Sequence, residues 1–188
     1  MAIKISDLVA ATTLSDTDII HVRTTGAIDK KITGTNLKQN VYKNLLHIQD
    51  EKTQNTDGGT FTHAAWRTRD LNTVKTNEII GASLASNQIT LPAGTYFIRW
   101  SCPAFDVEGH QSRLYNITDA AVEIVGLNAH SSLQSQTKSH GEGRFTIAGE
   151  KVFEIQHRGS QEQTTTGFGL AANFTTEVYS MVLIRRIV

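Results

Sequence analysis

Alternating apolar and polar residues dominate the part of this chain that follows residue 59. Short segments rich in β-branched and aromatic residues are separated there by Gly, Pro, Asn and Ser turns. The candidate strands are FTHAAWRTR, EIIGASL, NQITL, GTYFIRWSC, RLYNIT, AVEIVGL, GRFTIA, KVFEIQHR and EVYSMVLIRRI. Closely spaced strands without helical segments between them predict an antiparallel sandwich or a closed barrel.

The stretch GTYFIRWSCPAFDVEGHQSRLYN, residues 94–116, has the strongest pattern. A two-residue turn at 108–109 makes it one hairpin, in which Cys102 faces Tyr115. Because side chains alternate across a strand, five residues share the face that we assign to the core. These residues are Tyr96, Ile98, Trp100, Cys102 and Ala104.

The N-terminal region has a different pattern. DIIHVR and AIDKKIT flank Thr-Thr-Gly at 24–26, which predicts a small hairpin. A piece of this size cannot build its own core, so we expect it to need a partner surface.

Residues 36–48 carry a helical pattern. Asn36 and Gln39 resemble a capping box, and apolar residues then recur at helical spacing. The seam consists of Leu37, Val41, Leu45 and Ile48. This seam either packs on the following domain or joins chains as the core of a short trimeric bundle. If it joins chains, replacing Leu37 and Val41 with Asp reduces self-association.

QDEKTQNTDGG, starting at Gln49, contains no apolar residue and is the best boundary in the chain. The predicted organisation is therefore an N-terminal segment at 1–48, a linker at 49–58 and a β head domain at 59–188.

Composition narrows the functional classes. Hydrophobic residues make up 39% of the 188 residues, and the formal net charge is +0, so no basic field attracts nucleic acid or anionic lipid. The single cysteine excludes a disulfide within the chain and a cysteine-based zinc cluster. The first residues lack the apolar core of a signal peptide, and no apolar run approaches the ~20 residues of a membrane span. We expect synthesis in a reducing cytoplasm without membrane insertion.

Candidate chemistry is sparse. Asp106, Glu108 and His110 alternate around the predicted turn, which fits either a divalent-cation site or, more simply, a solvated hairpin tip. His157 follows apolar residues in alternation and is read as an inward packing residue that could also sense pH. Cys102 lies within an apolar strand, which favours an inert thiol over a nucleophile. With no recognised catalytic or phosphate-binding motif, we predict no enzyme activity, no cofactor and no metal.

Two parts of the chain resemble bacteriophage virion proteins. KISDLVAATTLSDTDIIHVRTTGAIDKKITGTNL resembles the N-terminal attachment segment of tail-fibre and related proteins. LPAGTYFIRWSCPAF, GHQSRLYNIT, GRFTIAGEKVFEIQHR, GFGLAANF and EVYSMVLIRRI resemble the trimeric C1q/TNF-like jelly-roll head of phage fibres. The resemblance implies a homotrimer on the virion, attached through its N-terminal segment to a virion protein, with a head that contacts a host surface glycan or protein.

The sequence thus predicts a mostly β protein: an antiparallel jelly-roll sandwich preceded by a small hairpin segment and one short helix. The predicted contact loops are 106–110, 131–142 and 159–167. The receptor-contact candidates are Asp106, Glu108, His110, His140 and Gln161. Because the chain has almost no shaft, a capsid decoration or head fibre without receptor binding is the alternative. A glycan-acting enzyme is a further alternative, but Asp106 and Glu108 are its only close acidic pair in a suitable loop.

Overall fold

The computed structural model describes residues 19–23, 29–33 and 44–187, and it describes side chains from residue 44 onwards. The chain divides into two compact units, Met1–Lys43 and Asn44–Val188. Among the described residues, no helix is long and apolar enough to cross a membrane.

The first unit contains an antiparallel pair of strands, β1 (Ile19–Arg23) and β2 (Asp29–Thr33). Ile19 lies opposite Thr33 and Arg23 lies opposite Asp29. The predicted N-terminal hairpin is therefore confirmed.

The second unit consists of strands and loops. Its strands are β3 (Leu45–Lys52), β4 (Arg67–Thr68), β5 (Thr73–Asn77), β6 (Ser83–Ala85), β7 (Gln88–Leu91), β8 (Gly94–Phe105), β9 (Glu108–Asn116), β10 (Ala121–Ser131), β11 (Gln136–Ile147), β12 (Lys151–Gly159) and β13 (Glu177–Ile187). One sheet has the order β10-β9-β12-β7-β6, with β4 also paired to β12, and the other has the order β11-β8-β13-β3-β5. Neighbouring strands run antiparallel, and the predicted antiparallel sandwich is confirmed.

The core lies between the two sheets. All five residues that the alternation assigned to the inner face of β8 are buried, from Tyr96 to Ala104. The four from Tyr96 to Cys102 pack in the interior with residues of the other sheet such as Leu114, Phe153 and Ile155. Ala104 belongs to a second, smaller cluster with Phe61, Val107 and Phe168. Burying each such large apolar side chain contributes roughly 1.5–3 kcal/mol, so this alternation accounts for much of the stability of the sandwich.

The predicted hairpin at 94–116 is wrong, although both of its strands exist. Strand β8 pairs with β11 and β13, while β9 pairs with β10 and β12. Cys102 therefore lies opposite Ser139 and not Tyr115. The indole of Trp100 explains part of this arrangement, since its Nε1 donates to Ser112 Oγ across the sandwich (2.8 Å). Its ring occupies the space beside Gly141, where a Cβ atom would lie 2.0 Å from Trp100 Cζ2.

The predicted helix at 36–48 is wrong at its C-terminal end, because Leu45–Lys52 forms β3. Ile48 lies opposite Val182 and is buried in the core of its own chain, so it cannot join chains. Leu45 is half-buried at the start of the same strand. Apolar residues at 46 and 48 fit a strand period of two, and pairing with β13 decides in favour of the strand. Leu37 and Val41 lie outside the described residues.

The sandwich also begins earlier than predicted, at Asn44 instead of residue 59. Residues 49–52 of the supposed linker belong to β3, and the loop that follows is tied down by a hydrogen bond from Gly58 N to Gly169 O (2.8 Å). Polarity alone therefore misplaced the domain boundary, because this stretch contains the end of β3, a strand paired with both β13 and β5, followed by a loop held by hydrogen bonds.

Candidate functional site

Three loops meet at one end of the sandwich around Asp106. Its Oδ1 accepts a hydrogen bond from Gln134 N and its Oδ2 accepts one from Gln163 Nε2, both at 3.4 Å. Its own N–H donates to Ser135 O (3.1 Å). We call residues 105–109, 131–136 and 159–169 together the loop end. Asp106 adopts a left-handed φ of 52°, a conformation that Asp tolerates better than most residues.

Further backbone contacts hold the loop end together. Ser160 N donates to Gly109 O (2.9 Å), and Gln161 N donates to Val107 O (3.0 Å). Val107 N donates to the hydroxyl of Ser131 (3.2 Å). Parts of all three predicted contact loops are therefore adjacent, although residues 136–142 of the middle loop belong to β11.

The receptor-contact candidates occupy different environments. Gln161 is exposed at the loop end, and Glu108 lies beside His130, with Oε2 and Nε2 3.0 Å apart. His140 is exposed in β11, away from the loop end, and it lines a cleft with Arg99 and Glu142.

His110 corrects the sequence prediction, since only 4% of its surface is exposed and its side chain points into the protein. Its Nδ1 lies 2.9 Å from His157 Nε2, and its Nε2 lies 2.8 Å from Thr137 Oγ1. Its side chain is therefore engaged inside the sandwich and is not a surface contact.

The two buried histidines favour their neutral forms. Burial lowers the pKa of His110 to about 4, and the charges of Arg69 and His130 act in the same direction. Burial also lowers the pKa of His157 well below its ordinary value, again with help from Arg69. The ring of Phe61 packs edge-on against His157 with ring centroids 5.0 Å apart.

Arg69 is a buried residue that the sequence analysis missed. Its guanidinium donates to Ser180 Oγ (2.9 Å), Pro103 O (3.1 Å) and Phe168 O (2.9 Å). The same group lies 4.1 Å from the centroid of the Phe168 ring. The only sequence signal was its place in RTRD beside the exposed Arg67, which does not distinguish an inward from an outward arginine.

The residues of the rejected catalytic and metal hypotheses do not converge. Cys102 is fully buried, and burial raises the pKa of its thiol. Asp106, Glu108 and His110 have separate partners. Within residues 44–187, no three His, Cys, Asp or Glu side chains lie close enough together to hold a metal ion.

A cleft of about 450 Å³ adjoins the loop end. We call it the Trp66 cleft, and its side chains include His63, Trp66, Gln111, Asn128, Arg158 and Ser160. The guanidinium of Arg113 lies 4.0 Å from the centroid of the Trp66 ring and 4.9 Å from that of Tyr115. Trp66 was part of a predicted strand and carried no functional signal, because its role depends on residues distant in sequence.

Comparison with known proteins supports the fold. No family model matches the chain, and no curated protein matches it in sequence. The globular domain of zebrafish complement 1qA protein superposes with a TM-score of 0.50 at 10% identity, covering 77% of this chain and 98% of that one. A structure of murine APRIL at pH 8.0 gives a TM-score of 0.45 at 9% identity, covering 76% and 98%. The sandwich thus has the C1q/TNF-like jelly-roll fold.

Proposed function

We propose that this protein is a short homotrimeric fibre of a bacteriophage virion whose sandwich head contacts the host surface through its loop end. The observation that carries the proposal is the convergence of three polar loops on Asp106. A rigid sandwich that presents polar loops, joined to one another by hydrogen bonds, at one end is suited to recognition. The virion role rests on the resemblance of residues 4–37 and 87–188 to phage fibre proteins.

Exposed apolar side chains support self-association. Val125 and Leu127 on β10 are 60% and 68% exposed, and they line a cleft of about 420 Å³ with Arg99 and Glu142. Arg99 Nε donates to Glu142 Oε2 (3.0 Å), so this surface presents both charges side by side. A surface with apolar residues and both charges suits contact with a second copy of the chain. Three heads then multiply a weak individual contact through avidity.

A capsid decoration without receptor binding is the second candidate. The sandwich begins at Asn44, only eleven residues after the end of β2 by residue number, which leaves no length for a fibre shaft between them. A glycan-acting enzyme is the third, and it requires a pair of free carboxylates. Both oxygens of Asp106 accept hydrogen bonds from neighbouring loops, which disfavours that role.

Purified full-length protein tests the proposal. Light scattering should give the mass of three chains, and labelled protein should adsorb to host cells. Gln161→Ala should weaken adsorption, whereas Glu150→Ala, in the turn between β11 and β12, should not. Imaging of the particle separates a tail location from a capsid location. A monomer that does not adsorb would overturn the proposal, and shortening of host polysaccharide would favour the enzyme.

A further inference from the structure

A row of polar side chains crosses three strands at the Trp66 cleft. In the sheet register, Asn128 of β10 lies opposite Gln111 of β9, and Gln111 lies opposite Arg158 of β12. Neighbouring strands are about 4.8 Å apart, so the row spans roughly 10 Å. That length matches one or two sugar rings. All three side chains line the cleft together with Trp66.

Trp66 supplies a flat apolar surface that is fixed in place. Arg113 stacks on its ring at 4.0 Å, and Arg113 Nε donates to Gln156 Oε1 (2.7 Å). A preorganised aromatic side chain binds with a smaller entropy cost than a free one. The C–H face of a sugar ring packs on such a surface, while its hydroxyls remain free for polar groups.

The polar row retains free hydrogen-bonding groups. Gln111 Nε2 donates to Gly126 O (2.9 Å), which leaves its Oε1 as an acceptor. Within residues 44–187, the side chains of Asn128 and Arg158 make no hydrogen bond or salt bridge to another residue, and both are exposed. A hydroxyl-rich ligand therefore meets donors and acceptors without displacing existing bonds.

The charge of the cleft favours an acid. Its lining includes the guanidinium of Arg158 but no Asp or Glu among the described residues. The carboxylate of Glu162 lies outside the lining, with its Oε2 3.9 Å from Nδ1 of the lining residue His63. Glu154 is buried, and it accepts a hydrogen bond from Thr68 Oγ1 (2.9 Å). A single exposed arginine suits a planar carboxylate, which it binds through two parallel hydrogen bonds.

We propose that the Trp66 cleft binds a carboxylate-bearing sugar of a surface polysaccharide. The sugar ring packs on Trp66, its carboxylate pairs with Arg158, and its hydroxyls bind Gln111 and Asn128. This inference names the class of ligand for the proposed host contact. It rests on that proposed function, because the host surface is the source of the polysaccharide.

Tryptophan fluorescence tests the cleft directly in the full-length protein. The chain has two tryptophans, and Trp100 is buried in the core, so a ligand in the cleft perturbs Trp66. Glucuronate and an oligogalacturonate trimer should change the emission, whereas glucose and a neutral galactose oligomer should bind at least tenfold more weakly. Trp66→Phe should abolish the change, and Trp100 emission then reports that the variant is folded.

Variants of two arginines test how much the positive charge of Arg158 contributes to sugar binding. Arg158→Gln should weaken acid binding at least tenfold and remove the preference over the neutral sugar. Arg144→Gln, an exposed arginine on β11 of the other sheet, is the matched control and should bind as the parent does. Equal binding of acidic and neutral sugars, an unaffected Arg158→Gln variant, or no response to any probe would overturn the proposal.

Cell adsorption distinguishes this proposal from the function on which it rests. Adsorption that needs Gln161 but is unchanged in Arg158→Gln rejects the cleft and keeps the host-contact function. Acid-specific binding at the cleft without adsorption keeps the cleft and rejects the host-contact function.

Discussion

His110 Nδ1 and His157 Nε2 lie 2.9 Å apart in the interior of the sandwich, where strands β9 and β12 run side by side. The Nδ1 atom of His157 is buried without a hydrogen-bond partner among the described residues. Protonating either ring places a charge in an interior that already contains Arg69.

This pair should make the stability of the head depend on pH. Because burial lowers the pKa of His110 from 6.5 to about 4, the unfolded chain binds more protons between these values. The contribution of neutral His110 to the free energy of unfolding is therefore fully present above pH 6.5. It is lost as the pH falls towards 4, and the loss is roughly 3 kcal/mol for His110 alone. Urea unfolding measured between pH 6.5 and 4 tests the slope of the free energy of unfolding against pH.

The double variant His110→Gln with His157→Gln isolates this effect from the titration of carboxylates. It should flatten the slope between pH 6.5 and 4, whereas the exposed His140→Gln should leave the slope unchanged. A double variant with the parental slope would contradict the assignment to these histidines.

Replacing Arg69 with Met should destabilise the head by about 3 kcal/mol or more. The change leaves the carbonyl oxygens of Pro103 and Phe168 buried without their donor, at about 1–3 kcal/mol each. Arg67→Met alters an exposed arginine two residues away and should change stability by less than about 0.5 kcal/mol. Chemical denaturation compares the two, and similar losses would argue against a special role for Arg69.

Gly141→Ala should disrupt the core around Trp100. The new methyl group would lie 2.0 Å from Trp100 Cζ2, so the indole or the strand must move, at a cost of about 1–3 kcal/mol. Gly149→Ala is the control, since no atom lies within 4 Å of its added Cβ. Thermal unfolding and near-ultraviolet circular dichroism should both change for Gly141→Ala only.

Cys102 should resist thiol reagents in the folded protein. Its side chain is buried, and burial raises the pKa of the thiol, so little reactive thiolate is available at pH 8. Labelling should proceed only in denaturant. A Cys102→Ser variant that carries Glu150→Cys, in the exposed turn between β11 and β12, should label rapidly. Rapid labelling of the native parent would revive the nucleophile hypothesis.

Leu127→Asp should reduce self-association if the exposed apolar residues of β10 are covered by another copy. A buried carboxylate without a partner in such an interface is strongly unfavourable. Leu133→Asp, at a loop position that is 94% exposed, is the matched control and should retain the parental mass. Light scattering measures the mass of the assembly. An unchanged mass for Leu127→Asp would show that this surface does not join copies of the chain.

Local patterns predicted the features that depend on neighbouring residues. Alternation placed Tyr96, Ile98 and Trp100 on the inner face of β8, and the turn at 24–26 predicted the first hairpin. The predictions for β8 and for the first hairpin succeeded because strand pleating and turn chemistry are set by sequence neighbours. The role of the polar loops in contact stays a prediction.

Features that join distant residues were not predictable in this way. The same alternation fits both a hairpin and a connection that crosses from one sheet to the other. The predicted pairing of β8 with β9 was therefore wrong. The spacing of Leu45 and Ile48 fits a helix, but pairing with β13 makes the segment a strand.

The sequence by itself determined the β content, the inner face of β8 and the polar nature of the loops, because these follow from local periodicity and composition. Only the tertiary structure decided which strands pair, that His110 meets His157, and that Arg69 bonds to Phe168. It also aligned Asn128, Gln111 and Arg158 beside Trp66. These contacts depend on how the whole chain packs two sheets together, and no local period encodes that packing.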